Sequence, residues 1–348
     1  VCKQARRNTR IKCSRSISRI GTFAMKDIIE IKATHDDTIR IYCDFSNVCN
    51  YNCWYCFPES NTGTHPWPDV DVIKENIVTL VNFYNKSDLI NKVELHLLGG
   101  EPTLWKGLSA FITYVKENSN CTIKILTNGS RTLRWWEKYA KYFEAIHITV
   151  HNPQVDLDHI EKLITLLTKN DYLFEIKVLM DFKNWDKCVS IVDRLYNYEE
   201  EFLLIVEPIH IAGETFYNED QTNYFNENIR KTPNDLMIKE WMKQPQRKYS
   251  VIASDNTEHS INSDSWMSLN NLNHFNGWKC NLGINYLYIS RDGIISGTCK
   301  QKLFGLDGYY NIKDPAFKNK FSPKLEQVIC QQTICMCAGE AALPKCKQ

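Results

Sequence analysis

No stretch of this 348-residue sequence approaches the roughly 18 consecutive apolar residues of a bilayer span, so no membrane-crossing helix is expected. A charge excess is missing as well: 42 basic residues against 41 acidic ones leave +1, which gives no global field for holding a polyanion. There is no internal repeat and no low-complexity tract. With 43 % hydrophobic and 24 % charged residues the composition is that of an ordinary globular protein, which excludes collagen-like and wholly disordered chains. The length suits one large domain or two modest ones. The abnormal entry is cysteine, fourteen in all.

Dense disulfides are the remedy of small secreted domains with poor cores, and this chain is not small. The thiols instead cluster as Cys49, Cys53 and Cys56 early and as Cys280, Cys299, Cys330, Cys335, Cys337 and Cys346 late, the pattern of two metal sites. Thiolate ligands fit a reduced compartment, hence a cytoplasmic protein. Cys43, Cys121 and Cys188 stand alone, Cys43 inside the apolar run TIRIYCDF, and read as inert small hydrophobes.

The first 24 residues carry seven Lys or Arg and no acid, whereas the remainder holds thirty-five basic against forty-one acidic residues and is mildly acidic. Residues 1–24 form a basic segment: a transit peptide, a basic tail, or sequence upstream of a natural start at Met25, the last being preferred. They have no apolar core of a secretory signal.

From residue 38 to about 211, short β-rich runs alternate with amphipathic stretches, the pattern of βα units. Strands are expected at 38–45, 92–100, 122–129, 145–151, 173–181 and 202–211, with crossover helices at about 70–86, 105–118, 132–142, 156–169 and 185–197. The economical arrangement is α/β, a partial (β/α)6 TIM-like barrel over 25–211 with a small Cys-rich C-terminal α+β extension over 278–348. Its chemistry should gather at the C-terminal strand tips: Gly99, Gly100, Asn128, His151, Asp181 and His210. Residues 212–277 lose the alternation and read as a connector or substrate-side insertion, with helices around 218–230 and 234–243. In NYLYISRDGIISGTC, Asp292-Gly293 is a hairpin turn.

The loop after the first of these strands reads CNYNCWYC, which spaces Cys49, Cys53 and Cys56 as C-x3-C-x2-C. Three thiolates on one short loop can grip a four-iron, four-sulfur cluster and leave one iron for a small chelating ligand. Zinc is the alternative, but a structural zinc site takes four ligands, and the nearest downstream candidate is His65. The loop resembles that of the radical S-adenosylmethionine (radical SAM) enzymes, whose partial barrel carries this spacing with an aromatic residue, here Tyr55, before the last cysteine. Gly99-Gly100-Glu101-Pro102 at the end of the second expected strand matches the family's GGEP motif, which the resemblance assigns to the methionine amine of SAM. A glycine pair admits close backbone approach and a carboxylate suits an ammonium, so the residue types make sense chemically. Thr127-Asn128-Gly129 resembles the TNG that follows in relatives. Thr149-Val150-His151-Asn152 stands where many of them read Ser-Leu-Asp-Gly; Thr149 keeps a hydroxyl for the ribose, while His151 is a departure. Lys177 is either a partner for the SAM carboxylate or a solvated strand lysine.

Cys280 and Cys299 flank the expected hairpin, and Cys330, Cys335 and Cys337 follow as C-x4-C-x-C. This resembles the twitch or SPASM extension of radical SAM enzymes. Six cysteines where SPASM modules show seven imply one auxiliary 4Fe-4S cluster, hence a twitch-like domain. Two of its ligands would be Cys280 and Cys299, and two would come from Cys330, Cys335, Cys337 and Cys346. A structural zinc ribbon is the alternative.

The resemblance thus implies a radical SAM enzyme, of oxidoreductase or peptide-modifying type. An external low-potential donor, flavodoxin- or ferredoxin-like, would feed the cluster, SAM would be cleaved to a 5′-deoxyadenosyl radical, and a substrate hydrogen would be abstracted. A residue of a peptide or protein is the leading substrate, a nucleotide or other small molecule the alternative. A non-catalytic zinc- or nucleic-acid-binding module is the reading from another class. No membrane partner is expected, and nothing in the body is dedicated to nucleic acid. Glu207, His210 and Asp181 are candidate acid–base groups without an assigned role.

Overall fold

The structure is a computed structural model that describes residues 28–33, 37–56, 60–198, 202–209, 216–228, 230–231, 249–261, 267, 272–303, 308–335 and 341–348. Residues 1–24, the expected helix at 234–243, His210 and Cys337 lie outside the described residues.

Strand β1 (Ile28–Ala33) precedes the alternating region, which opens with β2 (Thr38–Asp44). There follow α1 (Val70–Asn85), β3 (Lys92–Leu98), α2 (Leu108–Asn118), β4 (Thr122–Thr127), α3 (Leu133–Tyr139), β5 (Ala145–Val150), α4 (Leu157–Lys169), β6 (Phe174–Met180), α5 (Trp185–Tyr196) and β7 (Leu203–Pro208). Strands β2 to β7 pair in sequence order, every pair parallel. Four of the five crossover helices bury a stripe at helical spacing, as in Ile160, Leu163, Ile164 and Leu167 of α4, while the short α3 buries Trp136. That stripe meets the outward strand residues, such as Ile39, Ile41 and Cys43 of β2, in one core. Asp156 caps α4 by accepting from the His159 amide at 3.1 Å.

The barrel is not closed. Beyond β7 lie α6 (Glu219–Asn228) and β8 (Arg230–Lys231), which pairs antiparallel with β7. Strands β9 (Tyr249–Ala253), β10 (Glu258–Ile261) and β11 (Lys279–Cys280) then precede the expected hairpin, formed by β12 (Tyr286–Ile289) and β13 (Ile295–Ser296). Gly293 sits at φ +84° in its turn, a conformation that suits glycine. The hairpin does not stand apart from the barrel: β12 pairs parallel with β2, so the sheet runs β13-β12-β2-β3-β4-β5-β6-β7-β8. The chain ends with α7 (Phe317–Lys320), β14 (Val328–Ile329) and β15 (Lys345–Cys346).

A second sheet has the order β10-β9-β1-β15-β11-β14, all its pairs antiparallel. Strand β1, within the span assigned to the barrel, belongs here. The strands of 278–348 are accordingly divided between two sheets instead of forming one extension. A small core of Ile28, Ile31, Val251, Phe275 and Trp278 underlies the second sheet. The C-terminal region is fixed to the barrel by buried polar contacts: Asn76 of α1 donates to the Ile312 and Asp314 carbonyls at 2.8 and 3.0 Å, and the Tyr84 hydroxyl donates to the Gly283 carbonyl at 2.5 Å. Among the described residues, no helix is long and apolar enough to cross a membrane.

The face of the parallel sheet turned away from the helices is polar. On this face the strand register sets Arg40 opposite Glu94, His96 between Tyr42 and Lys124, His147 opposite Glu175, and Thr149 opposite Lys177. Buried Glu94 is surrounded by Lys92 (2.7 Å), Lys124 (3.1 Å), His96 (3.4 Å) and Arg40 (3.5 Å). Burial pushes the Glu94 carboxyl up, but hydrogen bonding and charge from His96, Lys124 and Lys92 outweigh it, and the net lies well below the usual carboxylate range. His96 stacks on Tyr42 with centroids 4.6 Å apart, and burial lowers its pKa to about 4.

An unfolded His titrates near 6.5, so as pH falls the unfolded chain takes up this proton before the folded one does. The stabilisation by neutral His96 is complete above about pH 6.5 and is lost between there and about pH 4, on the order of 3 kcal/mol. Urea denaturation at stepped pH should show this loss in the wild type and a flatter profile in His96→Gln; parallel profiles would contradict the assignment.

Candidate functional site

The cysteine loop leaves β2 at Asp44 and is held by the tips of four neighbouring strands. At β3, Gly100 and Glu101 amides donate to the Ser46 and Val48 carbonyls, both at 2.8 Å. At β4, Asn128 Nδ2 donates to Asn50 Oδ1 at 2.9 Å, and Asn50 Nδ2 donates to Ser130 Oγ at 3.0 Å. Beyond β5, Gln154 Oε1 accepts from the Asn52 amide at 2.7 Å, and the Tyr55 hydroxyl lies 3.2 Å from His151 Nδ1 with the two rings stacked. At β6, Trp54 Nε1 donates to Asp181 Oδ2 at 3.1 Å. The outgoing side is tied by Asn47, whose Nδ2 donates to the Thr62 and Thr64 hydroxyls. Asn50, Gln154 and Trp54 were not singled out from sequence, since a lone side chain in a loop carries no pattern, whereas Asp181 was expected at a strand tip and is found holding Trp54.

The GGEP segment sits at the centre of this lattice. A Cβ on Gly100 would come within 2.1 Å of the Val48 carbonyl oxygen, and one on Gly99, at φ +126°, within 2.5 Å of the Ser46 oxygen. What the glycine pair lets approach is therefore the cysteine loop itself. Glu101 is 1 % exposed, and its carboxylate accepts from Asn128 N (2.6 Å), Thr127 Oγ1 (2.7 Å), Thr103 Oγ1 (2.7 Å) and Thr103 N (3.1 Å). Burial raises its pKa against those hydrogen bonds. Pro102 opens the short 3-10 turn that Glu101 caps.

Asp181 is likewise engaged, holding Trp54, Asn184 Nδ2 (2.8 Å) and the Lys183 amide (2.9 Å), while Lys183 Nζ lies 3.4 Å from the Trp54 ring centroid. Thr149 and Lys177 are cross-strand partners on the polar face, and Lys177 Nζ is 3.1 Å from Glu207 Oε2. Burial lowers the His151 pKa to about 4, so its ring is neutral at pH 7.

Cys49, Cys53 and Cys56 form no disulfide and lie at intermediate depth, whereas Cys43, Cys121 and Cys188 are buried. Burial pushes the Cys53 thiol to about 11, and the charges of Cys56 and Cys49 push it the same way, the response of thiols close enough to repel once ionised. The Tyr51 amide donates to Cys49 Sγ at 3.4 Å. Among the described residues, no group of three or more His, Cys, Asp or Glu side chains is arranged to hold a single metal ion. Three cysteines outside any disulfide on one braced loop, with a backbone donor on the sulfur of Cys49, fit the donor set of an iron–sulfur cluster.

In the C-terminal region Cys280, Cys299, Cys330 and Cys335 line one pocket. Lys345 lines it too, and strand alternation turns Cys346, the next residue, to the other face.

Because Val48 backbone atoms occupy the place of a Gly100 side chain, Gly100→Ala is expected to lose at least about 1–3 kcal/mol in urea denaturation. Gly308→Ala, where nothing lies within 4 Å of an added Cβ, serves as the neutral control. Equal stability of the two variants would contradict the packing described.

Residues 44–202 match the profile of the Radical SAM superfamily. A curated relative, the S-adenosylmethionine-dependent nucleotide dehydratase of Fibrobacter sp. (strain UWH6), is 29 % identical over 93 residues, 27 % of this chain and 28 % of that protein. The chain thus spans little more than a quarter of that relative's length. Among solved structures, native anSMEcpe with bound AdoMet aligns at 17 % identity over 80 % of this chain and 78 % of its own, with a TM-score of 0.49. Streptococcus suis SuiB aligns at 15 % identity over 75 % and 60 %, with a TM-score of 0.45. The stretch that the Radical SAM superfamily profile matches, residues 44–202, is the one that carries the three-cysteine loop, the GGEP turn and the strands β3 to β6 that brace them.

Proposed function

We propose that this chain is a radical SAM enzyme acting on a residue of a peptide or protein, with an auxiliary iron–sulfur cluster in the four-cysteine pocket. The observation that carries the reading is the bracing of Cys49, Cys53 and Cys56 on one loop by the tips of β3, β4, β5 and β6. When bound, the loop cluster and SAM supply reductive cleavage to a 5′-deoxyadenosyl radical that takes a hydrogen from the substrate. The chain positions and shields. Three thiolates leave one cluster corner for SAM. With the Glu101 carboxylate engaged by Thr103, Thr127 and Asn128, the methionine ammonium falls to backbone carbonyls of the GGEP turn. Thr149 offers its hydroxyl to the ribose, and the Tyr55 ring, fixed by His151, borders the loop. The ion-paired rows on the polar face close the site from below and keep water from the radical. Electrons come from an external low-potential donor. Of the cysteines left open by the sequence, Cys330 and Cys335 join Cys280 and Cys299 around the auxiliary cluster.

The peptide reading draws support from the four-cysteine pocket, the feature in which the chain resembles peptide-modifying radical SAM enzymes. On the polar face Arg40, Lys92 and Lys124 meet the single carboxylate of Glu94, an excess of cations that suits a phosphate. A nucleotide substrate is the second reading, favoured by the relative named a nucleotide dehydratase.

Anaerobically reconstituted protein with reductant and SAM should release 5′-deoxyadenosine, and Cys53→Ala should release none; retained cleavage in the variant would refute the cluster assignment. Deuterium from labelled candidate peptides should appear in 5′-deoxyadenosine. Transfer from labelled nucleotides and from none of the peptides would replace the first reading by the second.

A further inference from the structure

We propose that Gln301 and Gln332 form a reciprocal clasp that positions Cys299 against Cys330, so that two separate sheets present one four-cysteine set to an auxiliary cluster. The inference rests on the reading that this pocket holds such a cluster.

The four cysteines do not hang on one frame. Cys280 ends β11, in the six-stranded sheet. Cys330 is tied beside that strand, its amide donating to the Trp278 carbonyl at 2.9 Å and its carbonyl accepting from the Gly277 amide at 2.8 Å. Cys335 is held on both sides by Asn273, whose carbonyl accepts from the Cys335 amide and whose Nδ2 donates to the Cys335 carbonyl, both at 2.8 Å. Cys299 arrives instead from β13, in the nine-stranded sheet. A ladder fixes positions only within its own sheet, so a pocket built across two sheets depends on contacts that fix one against the other.

Two hydrogen bonds supply such contacts, and they mirror each other. The sequence reads Cys299-Lys300-Gln301 and Cys330-Gln331-Gln332, the same Cys-x-Gln unit twice. Gln301 Oε1 accepts from the Gln331 amide at 3.3 Å, and Gln332 Nε2 donates to the Cys299 carbonyl at 3.2 Å. Each glutamine therefore holds the backbone of the other unit, at the cysteine or one residue past it. An amide side chain suits both roles, since it offers an acceptor or a donor and brings no charge into the pocket. Lys300 takes φ +57°, a left-handed conformation uncommon for a residue with a side chain, which bends the chain between Cys299 and Gln301. The Tyr309 hydroxyl donates to the Lys300 carbonyl at 2.8 Å and holds that bend. Gln301 is 7 % exposed, and both glutamines line the pocket with the four cysteines. A buried amide left without its partner is costly, so each unit keeps the other in place. Ligands held in place beforehand spare the ordering cost that cluster loading would otherwise carry.

The test uses the full chain with Cys49, Cys53 and Cys56 all replaced by Ala, so that only the pocket can carry a cluster. Iron and labile sulfide are counted after anaerobic reconstitution, and the removal of iron by excess chelator is followed through the loss of visible absorbance. Gln301→Met and Gln332→Met keep the side-chain length and remove the hydrogen bond, and each should release iron on the order of tenfold faster than the parent. Two double variants then separate bonding from packing. Gln301→Glu with Gln332→Lys keeps an acceptor at 301 and a donor at 332, whereas Gln301→Lys with Gln332→Glu carries the same charges with the polarity reversed. The first pair should retain iron on the order of tenfold longer than the second. Equal behaviour of the two pairs, failure of both to load included, overturns the inference and leaves the cluster reading standing, as does release from the Met variants at the parent rate. Absence of iron and sulfide from the parent overturns the cluster reading, and the inference falls with it. Should a Met variant fail to fold, the comparison of the two double variants decides.

Discussion

Everything at the rim depends on one buried carboxylate. Glu101 accepts hydrogen bonds from residues on either side of the β3–β4 boundary, Thr103 on its own turn and Thr127 and Asn128 at the next strand tip. A carboxylate taken from water is costly, and four donors within hydrogen-bond distance offset that cost only in this one geometry. The geometry fixes the GGEP backbone, whose amides then fix Ser46 and Val48 and so set where the cysteine loop leaves β2. Asn128, held by its amide to Glu101, passes the same constraint through its side chain to Asn50, beside Cys49. Loop, turn and strand tips thus form one hydrogen-bonded body, which suits three thiols that must converge on one object.

The parts of this arrangement that were legible from sequence are those with a local pattern. Alternating apolar residues and amphipathic stripes set β2 to β7 and their helices to within three residues at each end, because the parallel sheet buries its helix-facing side almost without exception. Cysteine spacing and the Gly-Gly-Glu-Pro run are equally local. The role of the glycines was misjudged in one respect: close approach was expected toward a ligand, and the structure uses it on the cysteine loop's own backbone.

What escaped the sequence is what depends on contacts between distant segments. Strand β1 has no alternation that distinguishes it from a connecting segment, and only its partners β9 and β15, more than two hundred residues away, make it a strand. The pairing of Arg40 and Lys124 with Glu94, and of His147 with Glu175, carries no sequence signal, because neutralisation by a neighbouring strand leaves no trace in a single strand's composition. The four-cysteine pocket is of the same kind. Its walls come from β11, the segment after β13, and the segment from β14 to Cys335, and no spacing rule selects Cys330 over Cys346; the alternation of Lys345 and Cys346 in β15 does.

Strand β2 relates the two cysteine groups to each other. Its C-terminal end delivers the three-cysteine loop, while its outer edge carries β12 in parallel register from Arg40–Tyr286 to Cys43–Ile289. At the top of that pairing, Asp44 accepts from the Tyr288 hydroxyl at 2.6 Å and from Arg291 Nε at 3.1 Å, and Arg291 also donates to Ser60 Oγ at 2.8 Å. Lower down, Tyr42 stacks between His96 and Tyr286, and the Tyr286 hydroxyl lies 3.1 Å from Thr298 Oγ1, one residue before Cys299. A shift of β12 along β2 by one residue would turn Tyr286 and Tyr288 to the opposite face and break both sets of contacts at once. The separation of the loop from the four-cysteine pocket is therefore set by the register of a single strand pair, and the Asp44–Tyr288–Arg291 clasp pins that register at its end nearest the loop.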